Sequence, residues 1–220
     1  MMHHEHAPQT DDLQKKQELE KHEVLEVVGF LKRYGKLIGA GLLAAALTVI
    51  ASNGFVHHKA ANIAKAEQAL MTAQTPQQLE EIITKYSSTP TAPVALLNLA
   101  KTFFNAGDYA QARAQYERFL KKYKDHEMRS AAELGLAYCT EADGDFNGAA
   151  AQFAAFAEKN SKNYLQPIAV LSIARCKEQA GQIDAARIVL EDFLAEKAGT
   201  PWAGSAENAL KAINDTAQQK

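Results

Sequence analysis

The sequence predicts an all-α protein, with a single N-terminal transmembrane helix followed by an α-solenoid of about four helical pairs. Three observations predict it. Residues 37–56 hold 20 residues without one charge, a block further along recurs with a period of 37, and the apolar positions inside each copy fall at helical spacing.

Taken from the N-terminus, residues 1–22 are polar and charged and read as a disordered cytoplasmic tail. His3, His4 and His6 lie there without the fixed frame that a metal site needs, so no metal or other cofactor is expected. Residues 23–36 follow, in "HEVLEVVGFLKRYGK". Val24, Val27, Val28 and Leu31 share one helical face, which reads as an amphipathic juxtamembrane helix lying on the inner leaflet or against a partner.

The stretch "LIGAGLLAAALTVIASNGFV", 37–56, is the predicted span. At about 1.5 Å per residue its 20 residues match the roughly 30 Å of a bilayer's hydrocarbon core. A buried helix of a soluble domain is the competing reading, and the flanks oppose it: Lys32, Arg33 and Lys36 stand before the stretch, and His57, His58 and Lys59 after it. Lys21, Lys32, Arg33 and Lys36 upstream outnumber Lys59 and Lys65 downstream, which places the N-terminus in the cytoplasm and the rest outside. Val49 and Ala51 would satisfy a small-residue cleavage rule before Ser52, but the charged region ahead of the stretch runs 36 residues, too long for a signal peptide. Gly35 with Gly39, and Gly41 with Ala45, are small-xxx-small pairs at which helices pack backbone to backbone, and they are the candidate transmembrane packing residues.

From residue 59 onward the repeat governs. Leu99, Leu136 and Ile173 are 37 apart, as are Ala100, Ala137 and Ala174, and Gly107, Gly144 and Gly181. The same step relates Ala112, Ala149 and Ala186, then Tyr116, Phe153 and Leu190, then Phe119, Phe156 and Phe193. Within a copy, Leu96, Leu97, Leu99, Ala100 and Phe103 form one apolar face and Ala112, Tyr116, Phe119 and Leu120 another. Gly107 between them suits a helix end, and Asp108 suits the start of the next helix. Each copy is therefore helix–turn–helix, with alanines where the two helices approach closely. The pattern L-A-x-x-(aromatic)-x-x-x-G-D-(aromatic)-x-x-A-x-x-x-(aromatic) resembles the tetratricopeptide repeat, with longer loops between copies because the period exceeds that family's about 34. Fainter copies extend it both ways: Leu79, Ile82 and Tyr86 fall one period before Tyr116, Phe119 and Tyr123, and Ala206 and Leu210 one period after Ala169 and Ile173. Residues 59–220 thus read as one repeat domain, its last pair incomplete and its end polar.

With 23% charged residues and a net charge of −2, the composition gives no basic balance that would point to nucleic acid. The chain carries no P-loop, G-x-S-x-G, H-E-x-x-H or C-x-x-C motif, and no enzymatic activity is expected. Cys139 and Cys176 stand at equivalent positions of neighbouring copies, about a helix diameter apart, beyond disulfide reach, and are expected to be free, partly buried thiols. Binding is the remaining class. A solenoid presents the first helix of each pair on its concave face, and the groove-facing positions are Leu97, Lys101, Phe104 and Asn105, then Leu134, Tyr138 and Glu141, then Leu171, Arg175 and Glu178. Their mixed apolar and charged character suits a peptide or a partner helix.

A cytoplasmic stretch ending in "VVGFLKRYGK", one span and then degenerate repeats resembles the YfgM-like family, the ancillary subunit of the SecYEG translocon, over roughly residues 23–215. That resemblance implies a single-pass bacterial inner-membrane protein with a periplasmic repeat domain, partnered by the SecYEG translocon and by a periplasmic chaperone or unfolded client. The copies here are cleaner than that family's usual ones. They are also similar to the TolA-binding coordinator and to outer-membrane assembly lipoproteins, which implies the alternative of an envelope scaffold for outer-membrane assembly or cell division. Those proteins carry a lipidated or cleaved N-terminus, and no cysteine here follows the apolar segment at lipobox distance.

Overall fold

The computed structural model describes residues 9–218, and among them every regular element is an α-helix. In chain order they are α1 (Gln9–Thr72), α2 (Pro76–Lys85), α3 (Thr91–Asn105), α4 (Tyr109–Lys122), α5 (Arg129–Ala142), α6 (Phe146–Lys159), α7 (Gln166–Gln179), α8 (Ile183–Lys197) and α9 (Ala203–Gln218). The chain divides into two units, one up to Ala61 and one from Asn62.

In the first unit the helix begins at Gln9, which corrects the expectation of a disordered tail: residues 9–22 are helical, and only 1–8 of that tail lie outside the described residues. The physical reason is local. "QTDDLQKKQELEKHE" is made largely of Gln, Leu, Lys and Glu, which have strong helix propensity and offer i,i+4 pairs of opposite charge. No break separates 23–36 from 37–56. Val24, Leu31, Leu42 and Ile50 are all exposed, as is the rest of the large apolar surface here, and the helix is long and apolar enough to cross a membrane. Thr48 satisfies its hydroxyl within the helix, donating to the Ala44 carbonyl at 2.8 Å.

The second unit is the solenoid. Residues 62–72 of α1 take the first-helix place of a pair completed by α2; α3 with α4, α5 with α6 and α7 with α8 are the next pairs, and α9 closes the end. Each helix from α2 onward packs on its neighbours in sequence, and α3 also touches α5, as α7 touches α9. The turns inside pairs (106–108, 143–145, 180–182) are shorter than the joins between copies (123–128, 160–165), so the long period resides in the joins.

The turns form for the reasons expected. Gly107, Gly144 and Gly181 hold φ of 78°, 85° and 75°, the left-handed conformation that ends a helix without strain only at glycine. Asp108 caps α4 by accepting from Gln111 N–H at 3.1 Å, and Asp145 caps α6 by accepting from Gly148 N–H at 2.8 Å. Gln182 makes no such cap; its amide instead donates to Asn147 Oδ1 at 2.8 Å, tying the start of α8 to α6. Ahead of α2, Thr75 and Gln78 form a reciprocal capping box.

Three apolar clusters succeed one another along the solenoid: one around Ile83, Leu96, Leu99 and Phe119, one around Leu134, Phe153 and Phe156, and one around Leu190, Phe193 and Ile213. The alanine columns lie where helices cross closely; Ala100, Ala112, Ala137, Ala149, Ala174 and Ala186 are all buried. Polar links cross between copies. Arg118 grips Glu80 through both guanidinium nitrogens at 2.7 and 2.9 Å, and Asn163 donates to Ser130 at 2.9 Å.

Candidate functional site

The first helices of successive pairs bring one apolar groove together on their shared face. It has a volume of about 350 Å³ and runs across α3, α5 and the start of α7, with Tyr116 of α4 reaching in from behind. Lys101, Phe104 and Asn105 come from α3; Ala131, Leu134, Gly135 and Tyr138 from α5; Leu165 and Ile168 from the entry to α7.

The predicted groove positions divide three ways. Lys101, Phe104, Asn105, Leu134 and Tyr138 line the groove, Leu134 as part of its buried wall. Leu97 and Leu171 are half-buried and pack onto the first and third clusters, so they serve the core rather than the cavity. Glu141, Arg175 and Glu178 fall beyond it; Glu178 is exposed, while Glu141 and Arg175 engage each other. Arg175 Nε and Nη2 both donate to the Glu141 carboxylate at 2.7 Å, and the guanidinium also stacks over the Tyr138 ring at 5.7 Å. That paired hydrogen bonding, opposed by burial, raises the Arg175 pKa further above its already high ordinary value. The Tyr138 hydroxyl shares a hydrogen bond with Ser172 Oγ at 3.3 Å, and its ring meets Phe153 edge-on. The charges of this region thus neutralise one another and stitch α5 to α7.

Tyr116, Gly135, Leu165, Ile168 and Ala131 are lining residues that the column reasoning omits. Helical spacing puts Tyr116 on an apolar face, and it is indeed buried in the first cluster, but its ring also reaches the groove. The available signal was Gly135, a glycine inside a helix where the neighbouring copies have Asn98 and Ser172. A Cβ at Gly135 would stand 2.5 and 2.7 Å from Tyr116 Cε1 and Cε2, so only glycine lets the ring pass α5. Burial, with a smaller contribution from Cys139, pushes the Tyr116 phenol up to about 12.

Cys139 and Cys176 are free and fully buried, in the first and second clusters respectively. Burial pushes both thiols up, Cys176 to about 11 with the Glu141 carboxylate adding and Arg175 opposing. Neither has the thiolate character of a nucleophile. Among the described residues, no group of three or more His, Cys, Asp or Glu is placed to hold a metal ion.

On α1 the small residues Gly35, Gly39, Gly41 and Ala45 recur at i,i+4. A Cβ added at Gly35, Gly39 or Gly41 meets nothing within 4 Å among the described residues.

A family model described as a tetratricopeptide repeat-like domain matches residues 29–149, more than half of the chain. The chain belongs to that family. A second model, a tetratricopeptide repeat, matches 141–201. The first match opens ahead of the apolar stretch 37–56 and so includes it together with the first repeats. No curated protein matches the chain. Among solved structures, the TPR-like repeats of a Podosopora anserina protein described as a kinesin light chain, and their Q17M variant, superpose with TM-scores of 0.55 at 18% identity. Both cover 73% of this chain, and the matched share of the other chain is 87% and 86% respectively. At that identity the likeness is one of fold.

Proposed function

We propose that the protein is a membrane-anchored, non-catalytic adaptor whose repeat domain holds a segment of another protein in the groove between Phe104 and Ile168. The observation that carries this reading is the groove itself: an uncovered, largely apolar cavity on the first-helix face, built by three successive copies. Repeat solenoids use that face for partners. Its volume lies at the lower end of the roughly 300–1,000 Å³ typical of ligand sites, room for one or two side chains.

In this reading 37–56 is the anchor, the N-terminus is cytoplasmic and the repeats are periplasmic. The inclusion of 37–56 in the family match supports an anchor over a removable leader. Arg33, which sits over the Tyr34 ring at 5.8 Å, and Lys36 supply the basic and aromatic residues that mark a membrane boundary. By its resemblance to the YfgM-like family, the adaptor works at the SecYEG translocon of the bacterial inner membrane, with a periplasmic chaperone or unfolded client in the groove. The small-residue face around Gly39 and Gly41 is the proposed contact with translocon helices.

The test is purification of the intact protein from cross-linked membranes. Replacing Gly39 and Gly41 with leucine loosens co-purification with SecYEG while the repeats stay folded. Replacing Phe104 and Tyr138 with alanine spares SecYEG and loses the chaperone or client. Failure of the wild-type protein to co-purify with SecYEG removes the translocon from the reading and leaves the envelope scaffold in its place.

A further inference from the structure

α1 runs unbroken from Gln9 to Thr72, so the apolar face of 23–36 and the stretch 37–56 share one axis. With 37–56 as the anchor, a helix on that axis leaves the bilayer instead of lying along its inner leaflet. The headgroup layer adds about 5–8 Å on each side of the hydrocarbon core, four or five residues of helix. Leu31 stands about 9 Å and Val24 about 20 Å before residue 37, so both are in water. They are nevertheless apolar and open: Val24 is 60%, Leu31 54% and Val28 40% exposed. Apolar surface of this kind outside the membrane marks a contact.

That surface has a register. Val24, Val28, Leu31 and Gly35 follow one another at alternating steps of four and three, the a and d spacing of a coiled coil. Ile38, Leu42, Ala45 and Val49 continue the alternation through 37–56. Inside that stretch any register is apolar, so the informative part lies outside it, where Glu26, Lys32, Arg33 and Lys36 all fall off the seam. Lys21 is the next seam position upstream, and Lys59 ends the seam downstream, after Ser52 and Val56. Leu25 and Val27 flank it, and Phe30, on the outer side, rests on Tyr34 with ring centroids 5.0 Å apart. A strict 3.5-residue repeat drifts by ~20° per heptad on a straight helix, and a left-handed supercoil with a partner helix removes the drift.

We propose that this seam joins α1 to α1 of a second copy of the chain, as a parallel coiled coil that begins in the cytoplasm at Val24 and continues across the membrane. This rests on the anchor part of the functional reading and is independent of the groove. A second copy carries the matching heptad by construction. The membrane sets the alignment, because every copy inserts with the same orientation and each seam residue then meets itself across a two-fold axis. From Val24 to Val56 the strip is about 50 Å long and about 10 Å wide, on the order of 1,000 Å² summed over two copies, the area at which a specific interface begins. Gly35 and Ala45 let the two backbones approach within the seam. Gly39 and Gly41, proposed above for translocon helices, lie at its edges and not on it.

The experiment replaces Val24, Glu26, Val28, Leu31, Arg33 or Gly35 singly with cysteine in the full-length protein and oxidises membrane vesicles with copper phenanthroline. Cys139 and Cys176 are buried, so the unaltered protein is the blank. Disulfide-linked dimer from positions 24, 28, 31 and 35 exceeds that from 26 and 33 by about fivefold or more, because only seam positions come within bridging distance. Leu31→Lys brings the cross-link at 28 down to the level at 26 and leaves the protein monomeric in micelles by light scattering, whereas Glu26→Lys does neither. Equal cross-linking at all six positions, a maximum at 26 or 33, or seam cross-links to another protein in place of a second copy overturns the inference and leaves the anchor standing. If alkaline carbonate extracts the protein from the vesicles, the anchor reading falls, and the inference with it.

Discussion

Gly135→Ala isolates the contact that shapes the groove. In an ordinary helix the change is stabilising by about 1 kcal/mol, because alanine loses less backbone entropy. Here the new methyl would lie 2.5 and 2.7 Å from two carbons of the Tyr116 ring, so the ring has to leave its place or α5 has to shift. Overpacking of that kind costs about 1–3 kcal/mol. The two effects oppose each other in the single variant, so the informative quantity is the coupling. In a Tyr116→Leu background, which installs the residue that Leu190 supplies in the same column, the collision is gone and Gly135→Ala regains its propensity gain. The difference between the two backgrounds is therefore about 1–3 kcal/mol, read as thermal unfolding of the full-length protein in micelles at roughly 2–4 °C per kcal/mol for a domain of this size. A coupling below about 0.5 kcal/mol would refute the reasoning, since distant, independent sites add to within that margin.

Ala149→Leu overpacks the α5–α6 crossing, where Ala149 is fully buried, and lowers stability by about 1–3 kcal/mol; an unchanged melting temperature would mean the columns are misaligned there. The two thiols resist a thiol reagent in the folded protein and give two equivalents on denaturation without reductant, whereas zero equivalents would reveal a bridge. Because Cys176 titrates near 11 when folded against 9.0 ordinarily, its contribution to stability is complete below pH 9 and is lost as pH rises from about 9 to about 11; a flat denaturant midpoint across that window in the protein lacking Cys139 contradicts its burial. Glu141→Gln costs only about 1 kcal/mol, since the Arg175 side chain is 43% exposed and rehydrates, and a loss of several kcal/mol would show the pair to be structural in a way its exposure denies. Protease added to spheroplasts removes the repeats and leaves about the first 55 residues, and protection of the C-terminal domain reverses the proposed orientation.

Much of the architecture was legible because it is local and repeated. A glycine that must adopt positive φ at 107, 144 and 181, an aspartate that caps the next helix at 108 and 145, and an alanine wherever two helices cross each leave a mark at the same phase of every copy. The cores follow from those marks, since Phe119, Phe156 and Phe193 are buried in turn. The tail was misread at 9–22 for a related reason. A charged segment without an apolar stripe looks unable to fold, yet strong helix formers continue a helix already nucleated by the residues that follow.

The sequence by itself determined the period, the helix–turn–helix unit, the columns that pack and the charge-free stretch long enough to cross a bilayer. Only the tertiary structure decided what the concave face offers. Leu97, which the sequence placed both on the packed face and in the groove, settled on the core, as did Leu171; Arg175 and Glu141 neutralised each other, and Tyr116 crossed from the second helix of one pair into the groove past Gly135 of the next. Those outcomes depend on how side chains from different copies meet. Periodicity encodes what the copies share, whereas the groove is built from the residues by which they differ, and those find their partners only once the copies are stacked.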